Sequence, residues 1–132
     1  MAINKTRIRE EARSYFIPFL LGDNEVSHKL SRRIYKKYGI VCFIIDDRMT
    51  PADFWDFSSR FLRVPRVKSN ELFALRLIDL AEQSEFTLPL LIPCSKEYSD
   101  AVELSREALE PIFVICDPED ALTSSPLNVI PS

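Results

Sequence analysis

The segment Ile17–Ile45, with the sequence IPFLLGDNEVSHKLSRRIYKKYGIVCFII, decides the fold. Residues 17–22 form a short apolar run ending in glycine, and residues 40–45 are apolar at every position. Both runs predict strands that are covered on both faces, as in the middle of a parallel sheet. The intervening residues carry apolar side chains at the spacing of one helix face: Val26, Leu30, Ile34 and Tyr38. A strand, a helix and a second strand within about 30 residues predict a βαβ unit.

The ends of the predicted helix carry the expected boundary signals. Asp23 or Asn24 can cap its N-terminus, because a short polar side chain accepts a hydrogen bond from a first-turn amide. Lys36 and Lys37 suit the negative end of the helix dipole, and Gly39 suits the stop. These signals fix the helix between the two strands.

The rest of the chain repeats the alternation of helices and strands. A loop or short helical turn from residue 48 precedes a short strand near residues 60–64, and helical periodicity follows from Asn70 to about Gln83. Residues 88–93 predict a strand, Ser95 opens a helix that Pro111 closes, and residues 112–116 predict a last strand. We expect an α/β fold: a doubly wound, Rossmann-like parallel sheet of about five strands in the order 3-2-1-4-5, with helices on both faces.

Three strands are expected to be central and buried, namely residues 40–45, 88–93 and 112–116. Their buried representatives should be Ile44, Leu91 and Val114.

Composition limits the domain organisation and the class of partner. The chain has 132 residues, 46% of them hydrophobic and 28% charged, so we expect one globular domain over residues 1–122 and a tail over 123–132. A net charge of −3, with Glu10 and Glu11 among the basic residues of Lys5–Arg13, gives no field for nucleic acid. No apolar run approaches a membrane span, no signal peptide is recognisable, and three cysteines suggest no disulfide framework. These features predict a cytoplasmic protein.

The predicted topology places a ligand crevice at the carboxyl ends of the strands, where the winding reverses. The loops that reach this point begin at Gly22, at Asp46 and Asp47, and at Cys94. We expect a substrate site built from Gly22, Asp23, Asn24 and His28, with Ser95 on the opposite lip. The helix N-termini there favour a carboxylate or phosphate, whereas the charge of Asp23 favours an ammonium group. A zwitterionic, amino-acid-like ligand satisfies both.

Other chemistries find little support in the sequence. Only two glycines, Gly22 and Gly39, are present, so both a dinucleotide-binding turn and a Walker loop are missing. His28 is the single histidine, which favours an exposed helical residue over a metal ligand, and no metal site is predicted. Cys94 lies at a strand end beside a helix N-terminus, where a thiol can be activated, but a small packing residue is the better reading. We assign no catalytic residue.

The order and spacing of several short segments resemble a known family. These segments are Phe16–Asp23, Ser31-Arg32, Tyr38-Gly39-Ile40, Ser59-Arg60, Leu91–Tyr98 and Leu109–Val114. Together they resemble the N-terminal pre-ATP-grasp domain of ATP-grasp carboxylate-amine ligases of the D-aspartate ligase type. The resemblance covers about residues 14–122.

The resemblance implies a substrate-side domain of an ATP-dependent ligase. In that family the following ATP-grasp domain holds ATP and magnesium and activates a carboxylate as an acyl phosphate, and the N-terminal domain forms one wall of the cleft. The chain would then need no cofactor of its own and would not be active alone. Its partners would be an amino-acid-like ligand and an ATP-grasp domain, or a second copy of itself. The alternative is a non-enzymatic small-ligand-binding or protein-interaction module with the same fold.

Overall fold

The computed structural model describes residues 16–65, 70–83 and 88–121 of the chain. Strands and helices alternate through these ranges as the sequence predicts. The elements are β1 (Phe16–Leu21), α1 (Glu25–Tyr38), β2 (Cys42–Asp46), a 3₁₀ helix (Pro51–Phe54), β3 (Ser59–Arg63), α2 (Asn70–Glu82), β4 (Leu88–Pro93), α3 (Lys96–Leu104), α4 (Arg106–Leu109) and β5 (Val114–Ile115).

The strands form one parallel sheet in the order β3-β2-β1-β4-β5, which confirms the predicted order. β1 is the middle strand, with Phe19 beside Phe43 of β2 on one side and Leu91 of β4 on the other. The chain winds outward from β1 to β3, then returns across the sheet to β4. The point of reversal therefore lies between the carboxyl ends of β1 and β4.

Helices cover both faces of the sheet, as expected. On one face, Leu30 and Ile34 of α1 pack in a cluster with Leu20 and Ile44 of the strands. On the other face, helices α2, α3 and α4 contribute to a second cluster that contains Leu91. Because both faces are covered, the apolar runs of β1, β2 and β4 have no solvent-facing side.

Helix α1 begins and ends where its capping residues predict. The side chain of Asn24 accepts a hydrogen bond from the backbone amide of Ser27, and the Ser27 hydroxyl accepts one from the Asn24 amide. Gly39 ends the helix at a φ of 70°, in the left-handed region that glycine tolerates best. Val26 does not lie on the buried stripe as predicted, since it is 48% exposed. The buried face begins instead at Ser27, and Val26 lies beside it.

Two other expectations need correction. The helix predicted from Ser95 to Pro111 is divided at Ser105, where the Ser105 amide bonds the Val102 carbonyl and tightens the last turn. The strand predicted at 112–116 is short and lies at the edge of the sheet, so Val114 is only half-buried, whereas Ile44 and Leu91 are fully buried as predicted. An edge strand has one neighbour, which leaves part of its surface uncovered.

The basic segment Lys5–Arg13 and the tail 123–132 lie outside the described residues. Among the helices that the structure describes, none has the length and apolarity needed to span a membrane.

Candidate functional site

A polar crevice of about 310 Å³ lies at the carboxyl ends of the central strands, where the winding of the sheet reverses. Three of the five predicted site residues line it, namely Gly22, Asn24 and Ser95. The remaining lining residues are Asp46, Asp47, Glu97 and Tyr98. The crevice is therefore rich in carboxylates and is bordered by the capped N-termini of α1 and α3.

Gly22 holds the floor of this crevice in a conformation that few other residues adopt. Its φ is 110°, and an added Cβ atom would lie 3.3 Å from Asn24 Nδ2 and 3.4 Å from a ring carbon of Tyr98. The side-chain amide of Asn24 spans the crevice and donates a hydrogen bond from Nδ2 to the carbonyl oxygen of Cys94 at 3.0 Å. This hydrogen bond ties the loop after β1 to the loop after β4, so the two lips are fixed relative to each other.

Asp46, at the end of β2, connects three parts of the crevice. Its Oδ2 accepts from the Asp23 amide at 2.8 Å, while its Oδ1 accepts from the Asp47 amide and from the Tyr98 hydroxyl at 2.7 and 2.9 Å. Tyr98 is not among the site residues that the sequence predicts. Its ring is buried in the core, and its hydroxyl orients an acidic side chain of the crevice.

The other two predicted site residues, Asp23 and His28, are buried and do not line the crevice. His28 is only 3% exposed, so the expectation of an exposed helical histidine is wrong. Its Nε2 lies 2.8 Å from Asp23 Oδ1 and 3.2 Å from Asp53 Oδ1, and its Nδ1 lies 2.5 Å from Asp56 Oδ2. We refer to Asp23, His28, Asp53 and Asp56 as the His28 cluster.

Asp56 is held rigidly on the Nδ1 side of the ring. Its Oδ2 also accepts from the Ser31 hydroxyl at 3.2 Å, and its Oδ1 accepts from the backbone amide and the hydroxyl of Ser58. Because both oxygens already accept hydrogen bonds from these serines, the position of Asp56 is fixed. Asp56 in turn fixes the orientation of the imidazole and favours a proton on Nδ1.

Thr50 and Asp53 close the Nε2 side of the cluster. The Thr50 hydroxyl donates to Asp23 Oδ1 at 2.8 Å, and the Thr50 amide bonds the Oδ2 atoms of Asp23 and Asp53 at 3.2 and 2.8 Å. Asp53 Oδ1 has no hydrogen-bond partner within the described residues, although the side chain is only 2% exposed. An oxygen in this state is costly to bury unless a proton or a cation meets it.

The electrostatics of the cluster follow from burial and from these contacts. Burial opposes the charge on Asp56, but hydrogen bonds from Ser58 and His28 outweigh it and lower the pKa of Asp56 to about 2. Burial likewise opposes the charge on His28, but the contacts with Asp56 and Asp23 raise its pKa. Burial and the contact with Asp23 raise the pKa of Asp53 to about 6. These shifts favour the charged forms of Asp56 and His28 and the neutral form of Asp53.

Three donor atoms of the cluster meet the spacing of a metal site. One oxygen each of Asp23 and Asp53 and one ring nitrogen of His28 lie within 4.8 Å of one another. An imidazole nitrogen and carboxylate oxygens are the donors that borderline divalent cations accept.

Sequence reasoning missed Asp53 and Asp56 because residues 48–58 mix Pro51 with several aromatic residues and show neither helical nor strand periodicity. The spacing of His28 from Asp56, 28 positions, carries no local signal. Cys94 is buried, and burial raises the pKa of its thiol to about 12, which agrees with the packing role and not with an activated thiol.

Comparisons with known proteins returned no relative. No protein-family model, no curated protein sequence and no solved structure matches this chain.

Proposed function

We propose that this chain is the substrate-side domain of an ATP-dependent carboxylate-amine ligase, in which it holds an amino-acid-like ligand. The observation that carries the proposal is the acid-rich crevice at the reversal point of the sheet. Such a crevice is the usual ligand position in a doubly wound α/β domain. The resemblance to pre-ATP-grasp domains supports the same role.

The crevice offers separate positions for the two charges of a zwitterion. Asp46, Asp47 and Glu97 provide carboxylates for an ammonium group. Helices α1 and α3 begin at the crevice, with Asn24 and Ser95 as their caps, so the positive ends of both helix dipoles are available to a carboxylate. A ligand that carries only one of the two charges would interact either with the carboxylates or with the helix N-termini, but not with both.

The proposal is tested by following backbone amide signals in NMR while adding glycine, the two enantiomers of aspartate, acetate, methylammonium and phosphate. We expect the amino acids to shift residues 22–24, 46–47 and 95–98 more than acetate or methylammonium at equal concentration. Shifts confined to other residues for every ligand would refute the crevice assignment.

A matched pair of variants sharpens the titration. Glu97→Gln removes a lining carboxylate and should weaken amino-acid binding by roughly twofold to fivefold, as for an exposed charge contact. Asp100→Asn changes an exposed acid of the same helix that does not line the crevice and should leave binding unchanged. If both changes weakened amino-acid binding equally, the ligand would be attracted by the overall negative charge of the chain and not by a specific site.

A second candidate function, a non-enzymatic interaction module, is favoured by a different surface. Phe54, Trp55 and Phe57 form an exposed aromatic patch, with Trp55 78% and Phe57 90% exposed. Large exposed apolar groups close together are typical of protein contacts. Sedimentation at increasing concentration tests the simplest partner, a second copy. Two results together would favour this alternative. The chain would self-associate and the double variant Trp55→Ser, Phe57→Ser would not, and amino acids would cause no shifts in the NMR titration.

A further inference from the structure

We propose that the His28 cluster is a buried binding site for a divalent first-row transition-metal cation, with Asp23, His28 and Asp53 as ligands and Asp56 as the group that positions the imidazole. This site adjoins the crevice of the proposed function but shares no lining residue with it. Its cation would hold the loop after β2 against helix α1.

Geometry is the first support. Ligand bonds of about 2.0–2.2 Å place neighbouring donor atoms of one metal roughly 2.9–3.5 Å apart. His28 Nε2 lies 2.8 Å from Asp23 Oδ1 and 3.2 Å from Asp53 Oδ1, so two of the three donor pairs are at or close to this spacing, and all three donors lie within 4.8 Å of one another. A cation between them requires displacement of the Nε2 proton and small side-chain rotations.

The unpartnered oxygen is the second and independent support. Asp53 Oδ1 faces Asp23 and His28, is buried, and receives no hydrogen bond from any part of the chain that the structure describes. The hydrogen bond of His28 Nε2 is made with Asp23 Oδ1 instead, at 2.8 Å. A cation at this point would supply the missing partner.

Charge balance points the same way. Three buried carboxyl groups surround one imidazole, and when all three are ionised even an imidazolium leaves two negative charges that no other cationic side chain among the described residues is seen to pair. The hydroxyl and the amide of Thr50 reduce this excess but carry no charge. Unpaired buried charge is expensive, so a divalent cation that replaces one proton improves the balance.

The position of Asp56 matches the outer shell of known metal sites. A histidine ligand commonly donates its second ring N–H to a carboxylate, which fixes the tautomer and leaves the other nitrogen free to bind the metal. Here His28 Nδ1 lies 2.5 Å from Asp56, which Ser31 and Ser58 hold in place. Nε2 is the nitrogen that remains for the cation.

The donor set predicts which cations bind. One imidazole with two carboxylates suits Zn²⁺, Co²⁺ or Mn²⁺, whereas Mg²⁺ and Ca²⁺ prefer oxygen ligands alone. We therefore expect at least tenfold weaker binding of Mg²⁺ and Ca²⁺ than of Mn²⁺ or Zn²⁺.

The test is equilibrium dialysis of the chelator-treated chain against Mn²⁺ and Zn²⁺, with metal counted by mass spectrometry. The expected result is about one ion per chain and a rise of several degrees in the melting temperature. A Cys116→Ser background removes the partly exposed thiol as an alternative zinc ligand. His28 is the only histidine, so its ring ¹⁵N signals report directly whether Nε2 loses its proton when the cation binds.

Variants distinguish a metal site from the alternative that Asp23 and Asp53 share a proton. Asp53→Asn keeps the side-chain volume and can donate to Asp23, so the metal-free protein should remain folded while metal binding falls at least a hundredfold. Asp56→Asn should weaken binding about 10–100-fold through the orientation of His28. Asp79→Asn, which changes an exposed acid of helix α2 outside both the cluster and the crevice, should leave metal binding unaltered. Absence of stoichiometric binding in the parent chain, or equal binding by the Asp53→Asn protein, overturns the proposal.

Discussion

At the scale of single residues, His28 is the side chain on which the surrounding acids depend. It is buried and contacts Asp23 and Asp56 through its two ring nitrogens. Without the imidazole, both carboxylates would lie in the interior without a positive partner. Removing one member of a buried ion pair generally costs far more than the pair itself contributes.

We therefore predict that His28→Ala, studied in the presence of a chelator, lowers the free energy of unfolding by about 3–5 kcal/mol. Urea titration monitored by circular dichroism measures this change. The matched control is Lys29→Ala at the next, exposed position of the same helix, which should alter stability by less than about 0.5 kcal/mol. Equal small effects of the two changes would show that the cluster contributes nothing to folding.

The cysteines supply a second residue-scale prediction. Burial raises the pKa of Cys94 to about 12 and that of Cys116 to about 11, and it also raises the pKa of the fully buried Cys42. The thiolate fraction of Cys94 at pH 8 is then about a thousandfold below that of a free cysteine. In the native protein at pH 8, iodoacetamide should modify Cys116 before the other two cysteines. Cys42 and Cys94 should react much more slowly than they do in the urea-unfolded protein. Peptide mass spectrometry measures both differences. Rapid native modification of Cys94 would restore the activated-thiol alternative.

At the scale of elements, β4 connects the two halves of the sheet. It pairs with β1 along six positions and with β5 on its other side, and Leu91 is fully buried at its centre. The strand therefore carries both the topology and part of the core.

Leu91→Ala should lower the free energy of unfolding by about 2–5 kcal/mol, because it removes buried methyl groups and leaves a cavity. A denaturant titration gives the value. Leu104→Ala serves as the control, since Leu104 is 74% exposed and should cost less than about 0.5 kcal/mol. A loss below half a kcal/mol for Leu91→Ala would contradict the central position of β4.

At the scale of the whole molecule, the proposed function assigns ligand binding to this chain and the chemical reaction to a separate ATP-grasp domain. The chain has two glycines and no glycine-rich phosphate loop, and the residues that grip phosphates in ATP-grasp ligases belong to the domain that follows in that family. Under the proposed function, the crevice would hold the ligand and the domain that follows in that family would activate it.

We predict that the purified chain neither hydrolyses ATP nor forms amide bonds, with or without magnesium. A phosphate-release assay and mass spectrometry of amino-acid mixtures measure the two reactions. Magnesium-dependent turnover that stays proportional to this protein through several purification steps would contradict the prediction and the division of roles behind it.

The sequence by itself determined the fold, because the information it needs is local. Apolar runs at 17–22, 40–45 and 88–93 predict buried strands, and Asn24 and Gly39 mark a helix between the first two. Parallel connectivity then follows from the alternation of strands and helices, and the ligand crevice follows from the strand order. Gly22, Asn24 and Ser95 could be placed at that crevice from the sequence for this reason.

Only the tertiary structure decided the His28 cluster. Whether a helical histidine is buried depends on what covers it, and the covering loop after β2 has no periodicity from which its path could be read. Asp53 and Asp56 reach His28 because parallel pairing of β1 and β2 brings the loop after β2 over the start of α1. Contacts between residues 25 and 28 positions apart leave no mark on the local sequence, since burial and charge pairing are properties of the assembled fold.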